Sequence, residues 1–155
     1  MAHPVKCSVV ALALLVLRVG LVAAQSSESP LVVKVTTERR VYRSGRNIDI
    51  TLTERNTSDR PTQVTTGCKI LHAQVRAPDG AVVWTFYDPR LCATFYGSTL
   101  AAGATRTLEL YWDGGVYLGG DLAAPIPAPP GRYTITVGVD GVEDSTVVRV
   151  RRRRK

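Results

Sequence analysis

An antiparallel β-sandwich is the fold class this sequence predicts, and three observations predict it. Apolar and polar residues alternate with period two through NIDITLTERN, TRTLELYW and RYTITVGV. Turn-forming clusters recur roughly every ten residues, the spacing of short strands in a sandwich. No helical period and no internal repeat is present beyond residue 24. About 130 residues then remain for one all-β domain, enough to bury a sizeable core.

Residues 1–24 read as a signal peptide. Lys6 supplies the positive start, SVVALALLVL the apolar core, and Val22-Ala23-Ala24 the small residues before cleavage ahead of Gln25. Arg18 interrupts the apolar run, which leaves an uncleaved anchor as the alternative. Cys7 precedes that run, against a lipid-modified cysteine. Residues 25–30 form a short polar leader, and the expected location is secreted, or periplasmic and cell envelope.

The domain spans residues 31–150. LVVKVTT is the first strand, Val41-Tyr42-Arg43-Ser44-Gly45 a turn, and NIDITLTERN a strand with Ile48, Ile50 and Leu52 inward. Asn56 to Pro61 is dense in turn formers, and its Asn56-Thr57-Ser58 matches a glycosylation sequon, relevant only in a host that glycosylates. A short strand near Gln63–Thr66 leads to a hairpin taken as the centre of the fold. Its strands flank the turn Pro78-Asp79-Gly80, with Leu71, Ala73 and Val75 on one face and Val82, Trp84 and Phe86 sharing a face opposite. FYGSTLAAGA is a loop or edge. Leu108, Leu110 and Trp112 share a face of the next strand. Tyr133, Ile135, Val137 and Val139 point inward on the one before the Asp140-Gly141 hairpin turn, and DSTVVRV closes the domain.

Paired positions in the cysteine hairpin should have numbers of nearly constant sum. A turn at 78–80 sets Ala77 opposite Ala81, and Cys68 and Cys92 lie one register offset or bulge away from pairing. A Cys68–Cys92 disulfide is expected, since export favours it and only these cysteines outlast processing; two buried free thiols are the alternative. It would close a loop of about 25 residues, worth roughly 3 kcal/mol.

The net charge of +7 is unevenly placed. Without Lys6 and Arg18 it is +5, and Arg149 with the tail Arg151, Arg152, Arg153, Arg154 and Lys155 carries six positive charges. The body is left with 12 basic against 13 acidic residues. No basic face interleaved with aromatics is evident, so nucleic acid is not an expected partner. The tail at 151–155 is a weak polyanion or membrane-surface contact at most, with a solvated end as the plainer reading.

Candidate chemistry is sparse. His72 is the single histidine after processing and falls on the polar face of its strand. No nucleophile elbow accompanies it, bridged cysteines are neither nucleophiles nor zinc ligands, and the Asp-Gly pairs lack calcium-loop spacing. No catalytic residue, metal or cofactor is expected, and the chain does not read as an enzyme. Residues 113–131, rich in Gly, Pro and Ala, make a long aperiodic loop. Tyr117, Leu118 and Leu122 are its candidate anchors for a protein partner; a flexible crossover is the plainer reading.

Several motifs occur together: Val41-Tyr42-Arg43-Ser44-Gly45, NIDITLTERN, Asn56 through Pro61, and Asp79-Gly80 with Val83-Trp84. Leu100-Ala101-Ala102-Gly103 before TRTLELYW and Pro130-Gly131-Arg132-Tyr133-Thr134 complete the set. Their order and spacing resemble the BsuPI family of intracellular proteinase inhibitor domains over residues 31–150. The resemblance implies an immunoglobulin-like sandwich and inhibition of serine proteinases. The export signal and the cysteine pair depart from it, and it transfers no contact residues. The leading expectation is a monomeric, exported inhibitor of a serine proteinase. The alternative is an envelope or extracellular binding module that shares only the fold.

Overall fold

A computed structural model of the chain describes residues 29–66, 71–86, 96–117 and 124–152. Every element among them is a strand, and the strands form an immunoglobulin-like antiparallel sandwich. One sheet has the order β1 (Leu31–Thr37), β3 (Ile48–Asn56), β8 (Thr105–Trp112). The facing sheet runs β2 (Val41–Arg43), β12 (Val142–Arg151), β11 (Gly131–Val139), β5 (His72–Arg76), β6 (Val82–Thr85). Two short ladders complete it: β4 (Thr62–Thr66) with β7 (Tyr96–Leu100), and β9 (Gly115–Val116) with β10 (Ile126–Pro127).

The alternation read from the sequence gives the core. Ile48, Ile50 and Leu52 of β3 are fully buried against Tyr133, Ile135, Val137 and Val139 of β11. Leu110 and Trp112 of β8 add to the first layer; Val148 and Val150 of β12 add to the second. A satellite cluster of Leu31, Val64 and Leu100 lies under the β4–β7 ladder. Asp140 and Gly141 turn β11 into β12 with φ of 50° and 79°, the left-handed pair a two-residue hairpin requires.

Four expectations are corrected. Val41–Arg43 is a strand rather than a turn, because β12 offers it a parallel partner that pairs Val41 with Arg149 and Arg43 with Arg151. The β5–β6 hairpin lies at the edge of its sheet, and β11 and β12 occupy the interior. In β6, Arg76 pairs with Val82 but Val75 pairs with Trp84, so Val83 is a bulged residue. Val83 is therefore the buried one, Val82 is exposed, and Trp84 and Phe86 pack on the rim of the core. Lastly, Arg151 belongs to β12, one residue past the expected domain end. The signal peptide, the Cys68–Cys92 pair and Arg153–Lys155 lie outside the described residues.

The β3 alternation continues past Leu52 to Glu54 and Asn56, both polar and both fully buried. Asn56 Nδ2 donates to the carbonyls of Arg60 (2.7 Å), Leu100 (3.0 Å) and Ala101 (3.1 Å), and its Oδ1 accepts from Ser58 N–H at 3.0 Å. The nitrogen that would carry a glycan is thus occupied inside the fold, which removes the sequon reading. Asn56→Ala would leave those carbonyls dry, and unfolding in urea should show a loss of about 1–3 kcal/mol. A loss within experimental error would mean water replaces the amide.

Candidate partner-binding loop

The 113–131 loop leaves β8 just after Trp112, returns into β11, and is held at its root from several sides. Its two arms join through β9 and β10, with Gly115 opposite Pro127 and Val116 opposite Ile126. Trp112, with no exposed surface, donates its indole N–H to the Gly115 carbonyl at 2.8 Å and packs on Tyr133 at 5.3 Å between ring centroids. Tyr133 in turn donates its hydroxyl to the Pro129 carbonyl at 2.8 Å. Ser44, just after β2, donates to the Ala128 carbonyl at 2.6 Å. Tyr117 N–H reaches the Val83 carbonyl at 3.1 Å, which ties the outgoing arm to the bulge of β6.

Asp113 organises the first arm. One carboxylate oxygen accepts from Gly115 N–H at 2.9 Å and the other from the Tyr117 hydroxyl at 2.5 Å. The bond to Asp113 pushes the Tyr117 phenol up to about 12, with burial adding to it. Because the folded value exceeds the ordinary one of 10, the stability Tyr117 contributes is complete below pH 10 and is lost as pH rises through about 12. At any physiological pH the clasp is closed.

Gly114 permits this path. Its φ is +72°, and an added Cβ would lie 2.5 Å from the Arg46 carbonyl oxygen. Gly103 has a similar φ of +70° with nothing within 4 Å, so it isolates the backbone cost. Gly103→Ala should cost about 1 kcal/mol, the left-handed penalty alone, and Gly114→Ala clearly more, since it must also displace Arg46. Equal melting temperatures for the two variants would contradict the close approach.

Of the anchors expected from the sequence, Tyr117 is half-buried in the root rather than offered to a partner, while Leu118 and Leu122 lie outside the described residues. Half-exposed Ile126, on the returning arm, is an accessible apolar residue the sequence reading passed over. Asp113 and Ser44 were also missed as clamps, although Asp113-Gly114 is a recognisable turn signal.

Other polar groups have structural tasks. Arg106 of β8, opposite Glu54 of β3, donates to the Glu54 carboxylate, to Asp140 at 3.3 Å and to the Thr65 carbonyl at 3.2 Å. Burial raises the Glu54 carboxyl despite Arg106, and its Oε1 has no partner. Asp140 and Asp144 also close strand edges, accepting from Thr65 N–H at 3.1 Å and Val35 N–H at 2.7 Å. His72 is exposed, as expected, and its ring nitrogen meets Glu143 at 2.7 Å across Gly138. Among the described residues no group of three or more His, Cys, Asp or Glu could hold a metal ion. In the tail segment, Arg151 and Arg152 are exposed.

No family model matches the chain, and no curated protein matches it. Solved structures share its fold. An alkylpurine DNA glycosylase from Pseudomonas fluorescens aligns at 16% identity over 81% of this chain and 31% of its own, with a TM-score of 0.51. A β-glucosidase from Erythrobacter marinus aligns at 16% identity over 78% of this chain and 15% of its own, at 0.52. A mutant β-glucosidase from Listeria innocua aligns at 16% identity over 78% and 16%, at 0.50. The chain thus spans a third or less of these proteins, and the likeness is one of fold.

Proposed function

We propose that the protein is an exported, non-catalytic inhibitor of a serine proteinase that offers the 113–131 loop to the enzyme's cleft. One observation carries this reading: the loop is pinned at its root by Trp112, Ser44, Tyr133 and the Asp113–Tyr117 clasp. A loop whose root is fixed before encounter has less conformational entropy to lose on binding, which favours tight inhibition. The resemblance to BsuPI domains supplies the partner class. Cleavage after Ala24 and a Cys68–Cys92 bridge belong to the same proposal.

The test is inhibition of subtilisin-like and trypsin-like proteinases by oxidised residues 25–155, with a reduced, unfolded sample as the competing-substrate control. Inhibition by the folded sample alone, lost on shortening residues 118–123 without a fall in melting temperature, is the expected result. Inhibition that survives the shortening would remove the loop from the mechanism.

A second reading, a binding module that takes a partner strand, is favoured by β8. Among the described residues this strand pairs only with β3, and its Tyr111 is largely exposed. The edge of β6 is less suited, since Tyr117 already uses the Val83 carbonyl. Partner capture without any effect on proteinases would select this reading.

A further inference from the structure

The near-neutral charge of the domain hides a concentration of arginines on the outer face of the five-stranded sheet. Arg149 is exposed between the buried Val148 and Val150, and its neighbour across the ladder is exposed Arg132 of β11. On the other side of β12, Arg151 pairs with Arg43 of β2. Arg40, whose carbonyl accepts from Arg149 N–H at 2.8 Å, and Arg152 join Arg132, Arg149 and Arg151 along one shallow concavity. None of these six is in an ion pair among the described residues. Two like charges directly opposite on an antiparallel ladder repel. Among the described residues no carboxylate lies within ion-pair distance to relieve that cost.

We propose that this face binds a linear acidic polysaccharide, its sulfate or carboxylate groups bridging Arg132 and Arg149 with Arg43 and Arg151 beside them. The patch is two strand spacings wide, about 10 Å, which suits a single extended chain rather than a duplex whose major groove alone is about 12 Å across. The aromatic residues of the strands carrying the patch, Tyr42 and Tyr133, point into the core, so no stacking platform exists for unpaired bases. Its exposed apolar side chains, Val41 and Val147, are too short to enter a bilayer. What remains is an array of fixed cations set among small polar and aliphatic side chains. The proposal is independent of the 113–131 loop, and its test contains no proteinase.

The experiment measures binding of the purified protein to heparin and polygalacturonate, with a single-stranded oligonucleotide and phosphatidylserine vesicles in parallel. The double variant Arg132→Gln/Arg149→Gln should bind the polysaccharides roughly 10–100-fold more weakly, with a salt slope lower by about two. The matched variant Lys34→Gln/Arg55→Gln removes the same charge from the other sheet and should bind like the parent. The patch variant should also melt at a higher temperature, because the repulsion is gone; this separates lost binding from lost folding. Equal weakening in both variants, no weakening in the patch variant, or tighter binding to the oligonucleotide or vesicles would each overturn the proposal. So would full loss on deleting residues 153–155 with the patch intact.

Discussion

Replacing Arg106 with methionine is expected to cost about 3–5 kcal/mol at neutral pH, the largest loss of any single polar substitution in the chain. Glu54 has no exposed surface and Asp140 little, and Arg106 is the cation between them. Without it, two carboxylates face each other and the Thr65 carbonyl loses a donor. The pH dependence follows from the direction of the Glu54 shift. Its folded value is raised above 4.5, so the stability it contributes is complete below that pH and is lost as pH rises through the folded value. Removing Arg106 raises the carboxyl further and enlarges that loss. The deficit of Arg106→Met, measured by urea unfolding, should therefore be larger at pH 7 than at pH 4. Glu54→Gln, which keeps a hydrogen-bonding partner for Arg106, should be milder and should flatten the dependence above pH 4.5. A deficit independent of pH would show that packing, not charge, is what Arg106 supplies.

Trp112 is the second position where one change should reach far. Trp112→Ala removes a fully buried indole between the sheets, and losses of about 3–5 kcal/mol are usual for such truncations. Trp112→Phe is the more informative change, because it keeps most of the apolar contact and deletes the bond to the Gly115 carbonyl. That carbonyl is left buried without its donor, at a cost of about 1–3 kcal/mol. Limited proteolysis should then cut within 113–131 sooner while the sandwich stays folded, and under the proposed function inhibition should weaken with it. If the phenylalanine variant matched the parent in both respects, the indole bond would not be what fixes the loop.

These two residues also show what could be read from the sequence. Alternation, a local signal, puts Trp112 on one face with Leu108 and Leu110, and the same signal marks β3 and β11. Arg106 and Glu54 could not be found that way. Period two points Glu54 inward, but a buried carboxylate is credible only once its cation is known, and Arg106 is identified by the register of β3 on β8. For the same reason Val41–Arg43 looked like a turn: three residues become a strand only when a parallel neighbour arrives from the far end of the chain. The inward residue of β6 depended on a bulge that no composition marks. The loop was visible as an aperiodic stretch, yet its clamps come from Ser44, Tyr133 and Val83, and only tertiary structure brings those to one place. The arginine patch is hidden similarly, since Arg43 and Arg132 are far apart in the chain and come together only because β12 pairs with both β2 and β11.

The position of β12 bears on when the molecule can fold. It follows every other described strand in the chain, yet it lies between β2 and β11, and its Asp144 seals the edge of β1. At a synthesis rate of about 5–20 residues per second, roughly 5–20 s separate the making of β2 from that of β12. Throughout that interval β2 has no neighbour, and β11 is made only just before the β12 it needs, so the nascent chain can hold local hairpins but not a closed sandwich. Closure of the sandwich is thereby deferred until β12 has been made, and a chaperone or transport factor that recognises unfolded polypeptide has the whole of that time to engage it.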